Sequence, residues 1–226
     1  MHIEPGVVTG AKLLLGHATA AASLGAAFLL SAKVVKKDGL PALALRAFVA
    51  SLLVFCFFEV LPHQPVGVSE VHLILGSTLL LLFGPAAAAL GLAAGLLMQG
   101  LFFAPADLPQ FGMNVTTLLV PLFATALLAR RIVPPHTPYV DLRYRDVLRL
   151  SLAYQGGVVS WVAFWALYGQ GIGADNLAQV ASFGAAYLSV VLVEPLIDLA
   201  VLAAAKAWHG GGESLLLQRR LFAGRV

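Results

Sequence analysis

MHIEPGVVTGAKLLLGHATAAASLGAAFLLSAKVVKK, residues 1–37, decides the fold. Six residues without a basic side chain lead into an apolar run over 7–32, and Lys33, Lys36 and Lys37 close it. As a helix, about 20 apolar residues cross the hydrocarbon core of a bilayer, so the run is long enough to span. A secretory signal peptide carries its basic residues before the apolar run. Here Glu4 precedes it and the lysines follow, an order that fits a retained helix with its amino terminus outside.

The rest of the chain repeats that grammar. Of its 226 residues, 60% are hydrophobic and 11% charged, outside the range of soluble domains. Further apolar stretches read at 41–61, 71–83, 86–104, 115–129, 150–168 and 177–205, which with the first makes seven candidate helices. Segment 71–83 is short for a full crossing and ends at Gly84-Pro85; it reads either as tilted with its neighbour or as a re-entrant piece. Both readings leave the parity unchanged. Segments 62–70 and 105–114 read as polar loops, 130–149 as a basic connection and 169–176 as a Gly-rich turn.

Charge sets the orientation. Lys33, Lys36, Lys37 and Arg46, then Arg130, Arg131, Arg143, Arg145 and Arg149, then Lys206, Arg219, Arg220 and Arg225 make 13 of the 14 basic residues, all on one side. The positive-inside rule makes that side the cytoplasm, and the exception, Lys12, snorkels at the outer end of the first span. The expectation is an all-α integral membrane protein of the plasma (inner) membrane. It has about seven transmembrane helices, the amino terminus outside, the carboxyl terminus cytoplasmic, and a single domain over 1–226. The formal charge of +3 sits in turns between spans and does not form a nucleic-acid surface. A single cysteine, Cys56, excludes an intrachain disulfide and a thiolate cluster.

This topology brings the amino terminus, His63 and His72 to one face, while His136 and His209 face inward. A histidine directly after a free amine is a chelating arrangement. The amine, the His2 amide nitrogen and the His2 imidazole close fused rings around one metal and leave one in-plane position open. Tetragonal nitrogen sites suit Ni(II) or Cu(II), with Co(II) close behind. His72 opens an apolar segment and reads as a ligand or as a cap; His63, between Pro62 and Pro65, reads as a ligand or as a solvated loop residue. His17 is roughly 15 Å down the first helix and reads as a partner for a neighbouring helix. Within the spans, Glu59, Glu194 and Asp198 suit either an ion-coupled permease or structural pairing; Glu194 and Asp198 are four apart, on one helix face. There is no phosphate loop, no Gly-x-Ser-x-Gly elbow and no His-Glu-x-x-His, so the chain reads as no enzyme.

Three blocks carry a family resemblance: Met1-His2-Ile3-x-x-Gly6; Pro65-Val66-Gly67-Val68-Ser69-Glu70-Val71-His72 with Leu82-Phe83-Gly84-Pro85; and Met98-Gln99-Gly100-Leu101-Phe102-Phe103 with Gly112-Met113-Asn114. In this order, from Met1 to about Val120, the chain resembles the substrate-binding membrane subunit (S component) of cobalt/nickel energy-coupling factor transporters. Beyond that point the likeness is one of hydropathy. The resemblance implies capture of Ni(II) or Co(II) by Met1, through its amine, by His2, through amide and imidazole, and by His72 in the loop before the third helix. Asn114 supports the site, and His63, Glu70 and Thr116 are possible additional ligands or orienting groups. Three positions depart from the family pattern: Glu4-Pro5 inverts the usual order, one extra residue separates Ser69 from His72, and Thr117 stands for a second asparagine. No cofactor is implied beyond the transported ion. The implied partners are a coupling membrane subunit (T component), cytoplasmic ABC ATPases, a small accessory membrane subunit and the lipid bilayer around the membrane subunits. A secondary, ion-coupled metal permease is the competing reading.

Overall fold

The computed structural model describes residues 3–135 and 137–207. Met1, His2, His136, His209 and the arginines of the tail therefore lie outside the described residues. Six helices carry the fold: α1 (Leu13–Asp38), α2 (Leu40–Glu59), α3 (Gly76–Phe102), α4 (Phe111–Ile132), α5 (Tyr144–Gln170) and α6 (Ala174–Ala207). With the 3-10 turns that lead into α1 and α4, all six are long and apolar enough to cross a membrane. The chain is a multi-pass helical membrane protein.

Lipid as solvent explains the burial pattern. Large apolar side chains such as Leu14, Phe28, Phe48 and Leu196 stay on the outer surface of the bundle, which needs no polar covering in hydrocarbon. The centre belongs to α3, whose small residues admit close neighbours. A side-chain carbon at Gly91 would strike Ala50, and one at Gly95 would strike Val54.

Where seven separate segments were expected, the third and fourth are the two arms of α3. Gly84 has φ 81° and ψ 166°, a left-handed conformation that favours glycine, and Pro85 cannot donate a helical hydrogen bond; together they fold the helix back. Gly91 and Gly95 meet Ala50 and Val54 in the same order, so the long arm runs parallel to α2. On the short arm, Ile74 and Leu75 meet Glu194, then Ser77 and Thr78 meet Asp198, so it runs parallel to α6. α2 ends where the following hairpin begins, and α6 starts against that hairpin. The two arms therefore run in opposite directions.

Segment 62–70, expected to be a loop, holds a two-stranded antiparallel hairpin of β1 (Gln64–Val66) and β2 (Ser69–Val71). Gly67 turns it with φ 62°, and its backbone presses on the Gln179 carbonyl at the start of α6. Segment 105–114 is also more regular than expected: a 3-10 turn over Pro105–Gln110 runs directly into α4. At the other end of the bundle, Arg46 forms a buried pair with Asp38 at 3.0 Å across the α1–α2 turn, so this basic residue is structural. Tyr139 packs with Leu142, Val147 and Leu202 there; its burial, reinforced by the Asp198 carboxylate, pushes its phenol pKa up.

Candidate functional site

The site is built on the chain's first described residues. Ile3 is fully buried and forms an antiparallel bridge with Ser69, and the Glu4 amide donates to the Val68 carbonyl at 3.1 Å. The amino-terminal segment thus lies along β2 as a third edge. The Ile3 amide donates to Oδ1 of Asn114 at 2.8 Å. A turn closed by Val7 on the Glu4 carbonyl follows, through Pro5 and Gly6. It then packs Val7 against Gly169, where no side chain fits. Lys12 secures the same corner: its Nζ donates to the Gly169 carbonyl at 2.8 Å and lies 5.7 Å from the centre of the Tyr168 ring. The long side chain expected to snorkel here ends on a carbonyl at the carboxyl end of α5.

His72 lies one residue beyond β2 and is 2% exposed. Phe58 holds the imidazole in a T-shaped contact with centroids 4.5 Å apart, and Nδ1 is 3.3 Å from the Leu73 carbonyl. Three residues later the backbone turns sharply at Leu75, which takes φ 54° despite carrying a side chain. An L-residue adopts that conformation at a cost of about 1–2 kcal/mol. Glu194, fully buried on α6, holds the turn: its Oε1 accepts from the Ile74 amide and from the Leu75 amide, the latter at 2.9 Å. Its Oε2 accepts from Gln155 Nε2, and the Tyr187 hydroxyl donates to Gln155 Oε1 at 2.6 Å. One turn along α6, Asp198 accepts from Ser77 at 2.6 Å and from Thr78. Glu194 thus takes the two amides that lead into the short arm, at the positive end of its helix dipole, and Asp198 takes the Ser77 and Thr78 hydroxyls.

The structure brings Ile3, Ser69 and Asn114 together; His72 follows Ser69 by three residues, and the residue preceding Ile3 is His2. Asn114 reaches them from the first turn of α4, where sequence reasoning placed a loop. Glu70 sits half-buried in the hairpin opposite Pro65. His63 is half-buried, with Nδ1 3.4 Å from the Leu61 carbonyl. Thr116 donates to the Met113 carbonyl at 2.8 Å and accepts from Trp161 Nε1 at 3.2 Å, so its hydroxyl serves helix packing and does not orient His72. Thr117 likewise bonds Met113, at 2.9 Å. His17 is exposed on α1, its backbone beside Gly112 on α4. Among the described residues, no three His, Cys, Asp or Glu side chains converge as a metal site. Sequence reasoning noted Glu194 without finding its partners, and missed Gln155. An amide side chain inside an apolar span was the available signal, because it needs a polar partner there.

Comparison with known proteins agrees with this geometry. The family model for the cobalt uptake substrate-specific transmembrane region, CbiM, matches residues 2–209. Two solved structures share the fold. One is described as a transition metal transporter, with a TM-score of 0.60 at 19% identity over 92% of each chain. The other is described as a truncated transition metal transporter, with a TM-score of 0.56 at 19% identity over 92% of this chain and 97% of that one. No curated protein matches the chain. The match spans nearly the whole sequence, both arms of α3 and every residue of the described site, and the chain belongs to the CbiM family of substrate-specific membrane components for cobalt uptake.

Proposed function

We propose that this chain captures Ni(II) or Co(II) at the outer membrane face and delivers it inward in an ATP-driven transporter. Its ligands are the Met1 amine, the His2 amide and imidazole, and His72. One observation carries this reading: the backbone at Ile3 is tied to both Ser69 and Asn114, and His72 is buried three residues beyond Ser69. A chelating terminus anchored beside a buried imidazole supplies four nitrogens for one ion, a donor set that suits tetragonal Ni(II) and serves Co(II). The amine and amide must lose protons on binding, so capture releases protons.

The energy comes from other subunits, because the sequence holds no phosphate loop. The reading places Arg143, Arg145 and Arg149, which surround Asp146, on the cytoplasmic side with Arg130 and Arg131. There they face a coupling membrane subunit and its ATPases, with a small accessory membrane subunit alongside. Glu194 and Asp198, the groups a proton-coupled permease would use, are engaged at the start of α3, by the Ile74 and Leu75 amides and by the Ser77 and Thr78 hydroxyls, which supports the subunit reading.

Two measurements test the proposal. Titration of the purified chain, with a free and untagged amino terminus, is expected to show one Ni(II) or Co(II) per chain. Uptake in cells is expected to require the ATPase subunits; uptake that follows the proton gradient without them would establish the permease instead.

A further inference from the structure

We infer that Glu194 is a positioning residue for metal capture, acting through the backbone that carries His72. The inference rests on the reading of His72 as a ligand. His72, Leu73, Ile74 and Leu75 run without regular structure between β2 and α3. Two restraints surround them. Ser69 is tied to Ile3 on one side, and on the other Glu194 takes the amides of Ile74 and Leu75. The carboxylate comes from α6, 120 residues away, and spans both amides with one oxygen while Gln155, itself held by the Tyr187 hydroxyl, donates to the other.

A neutral polar residue would not substitute. The first turn of α3 presents N–H groups and the positive end of a helix dipole, which a carboxylate satisfies by charge as well as by geometry. The turn is also closed at Gly76, where a side-chain carbon would collide with the Tyr154 ring. The loop therefore has one seat, set by Glu194 below and the hairpin above. The imidazole that it presents against Phe58 is held before an ion arrives. Such preorganisation is what a capture site needs when its other ligands come from a chain terminus.

The test is Ni(II) titration of the full-length purified chain, carrying Glu194→Gln alone and combined with His72→Ala, alongside amide exchange of the 72–76 segment. Glu194→Gln preserves shape but turns an amide toward backbone donors. It is expected to speed exchange at Ile74 and Leu75 and to weaken Ni(II) binding about 10-fold, as loss of groups that orient metal ligands commonly does. In the His72→Ala background it is expected to weaken binding no further. A purely structural role would lower the melting temperature in both backgrounds while leaving Ni(II) affinity of the folded protein unchanged, and that result overturns the inference. Additive losses overturn it too. If His72→Ala alone leaves affinity intact, the ligand reading fails, and exchange at Ile74 and Leu75 still reports whether Glu194 holds the loop. Should Glu194→Gln not fold, Gln155→Met keeps the carboxylate and removes its brace. A several-fold loss of Ni(II) affinity is then expected, again abolished by His72→Ala, and unchanged affinity overturns the inference.

Discussion

The amide of Ile3 and the side-chain carbonyl of Asn114 meet at 2.8 Å across 111 residues of sequence. This bond fixes the amino-terminal backbone to the first turn of α4. A terminal segment would otherwise be among the least ordered parts of a chain. Here its third residue is buried and pinned on two sides.

Asn114→Ala removes the acceptor and leaves a buried N–H unsatisfied, which costs about 1–3 kcal/mol. Where that cost falls on the bound conformation, the expected loss of Ni(II) affinity is roughly 10-fold for each 1.4 kcal/mol. Asn114→Asp keeps an acceptor at the same place and is expected to lose less. Equal affinity in all three proteins, measured by titration, would show that the bond does not hold the site.

His72→Ala is expected to abolish tight metal binding while expression and helicity stay normal, because the residue caps no helix. His63→Ala is expected to change affinity by less than about 3-fold, since His63 lies at the hairpin's edge, beside its own backbone. A reversal of the two effects in parallel titrations would move the ligand role to His63.

The terminal amine gives the site its pH dependence. Its reference pKa is about 8, and only the deprotonated form binds metal. Affinity is therefore expected to rise steeply with pH up to that value and less steeply above it, where the His2 amide still gives up a proton on binding. Acetylating the terminus is expected to abolish binding at every pH. Inserting one alanine between Met1 and His2 lets the terminus fill all four in-plane positions by itself. Metal is then expected to stay bound at the tip while uptake collapses; normal uptake by this variant and by the acetylated protein would exclude the terminus from the site.

Gly169→Val tests the corner that aims the terminal segment. The added side chain meets the Val7 carbonyl, so the segment must shift. The expected result is weaker Ni(II) binding with unchanged circular dichroism, because α5 tolerates valine at its end at a cost below about 1 kcal/mol. Retained affinity would show that residues 3–8 adjust without disturbing the ligands.

The spanning helices were legible because apolar length and basic turns are local signals, and the break at Gly84-Pro85 was legible for the same reason. The sequence left open whether α3 doubles back as a re-entrant piece or crosses tilted, since that depends on which neighbours each arm finds: Ala50 and Val54 for one, Glu194 and Asp198 for the other. The hairpin was missed because its strands are three residues long and its register depends on Gly67 and on the terminal segment beside it. Asn114 was identified through a motif and placed on the wrong element, the 3-10 turn before α4 having concealed the helix start. Glu194 stood out as an acid in an apolar run, but its partners are main-chain amides, which no residue pattern announces.

The short arm of α3 has a consequence for how the protein is made. It runs from Gly76 to the bend at Gly84, about 12 Å at ~1.5 Å per residue, too little to lodge in hydrocarbon as a helix by itself. The acids that satisfy its first turn lie about 120 residues further along the chain. During synthesis the ribosome therefore delivers the His72 loop long before the helix that seats it. Until α6 arrives, the nascent chain exposes that turn to whatever water or chaperone the insertion machinery supplies. A loop translated in the first third of the chain is thus among the last to mature, and a ribosome stalled before α6 leaves the Ile74 and Leu75 amides without their carboxylate.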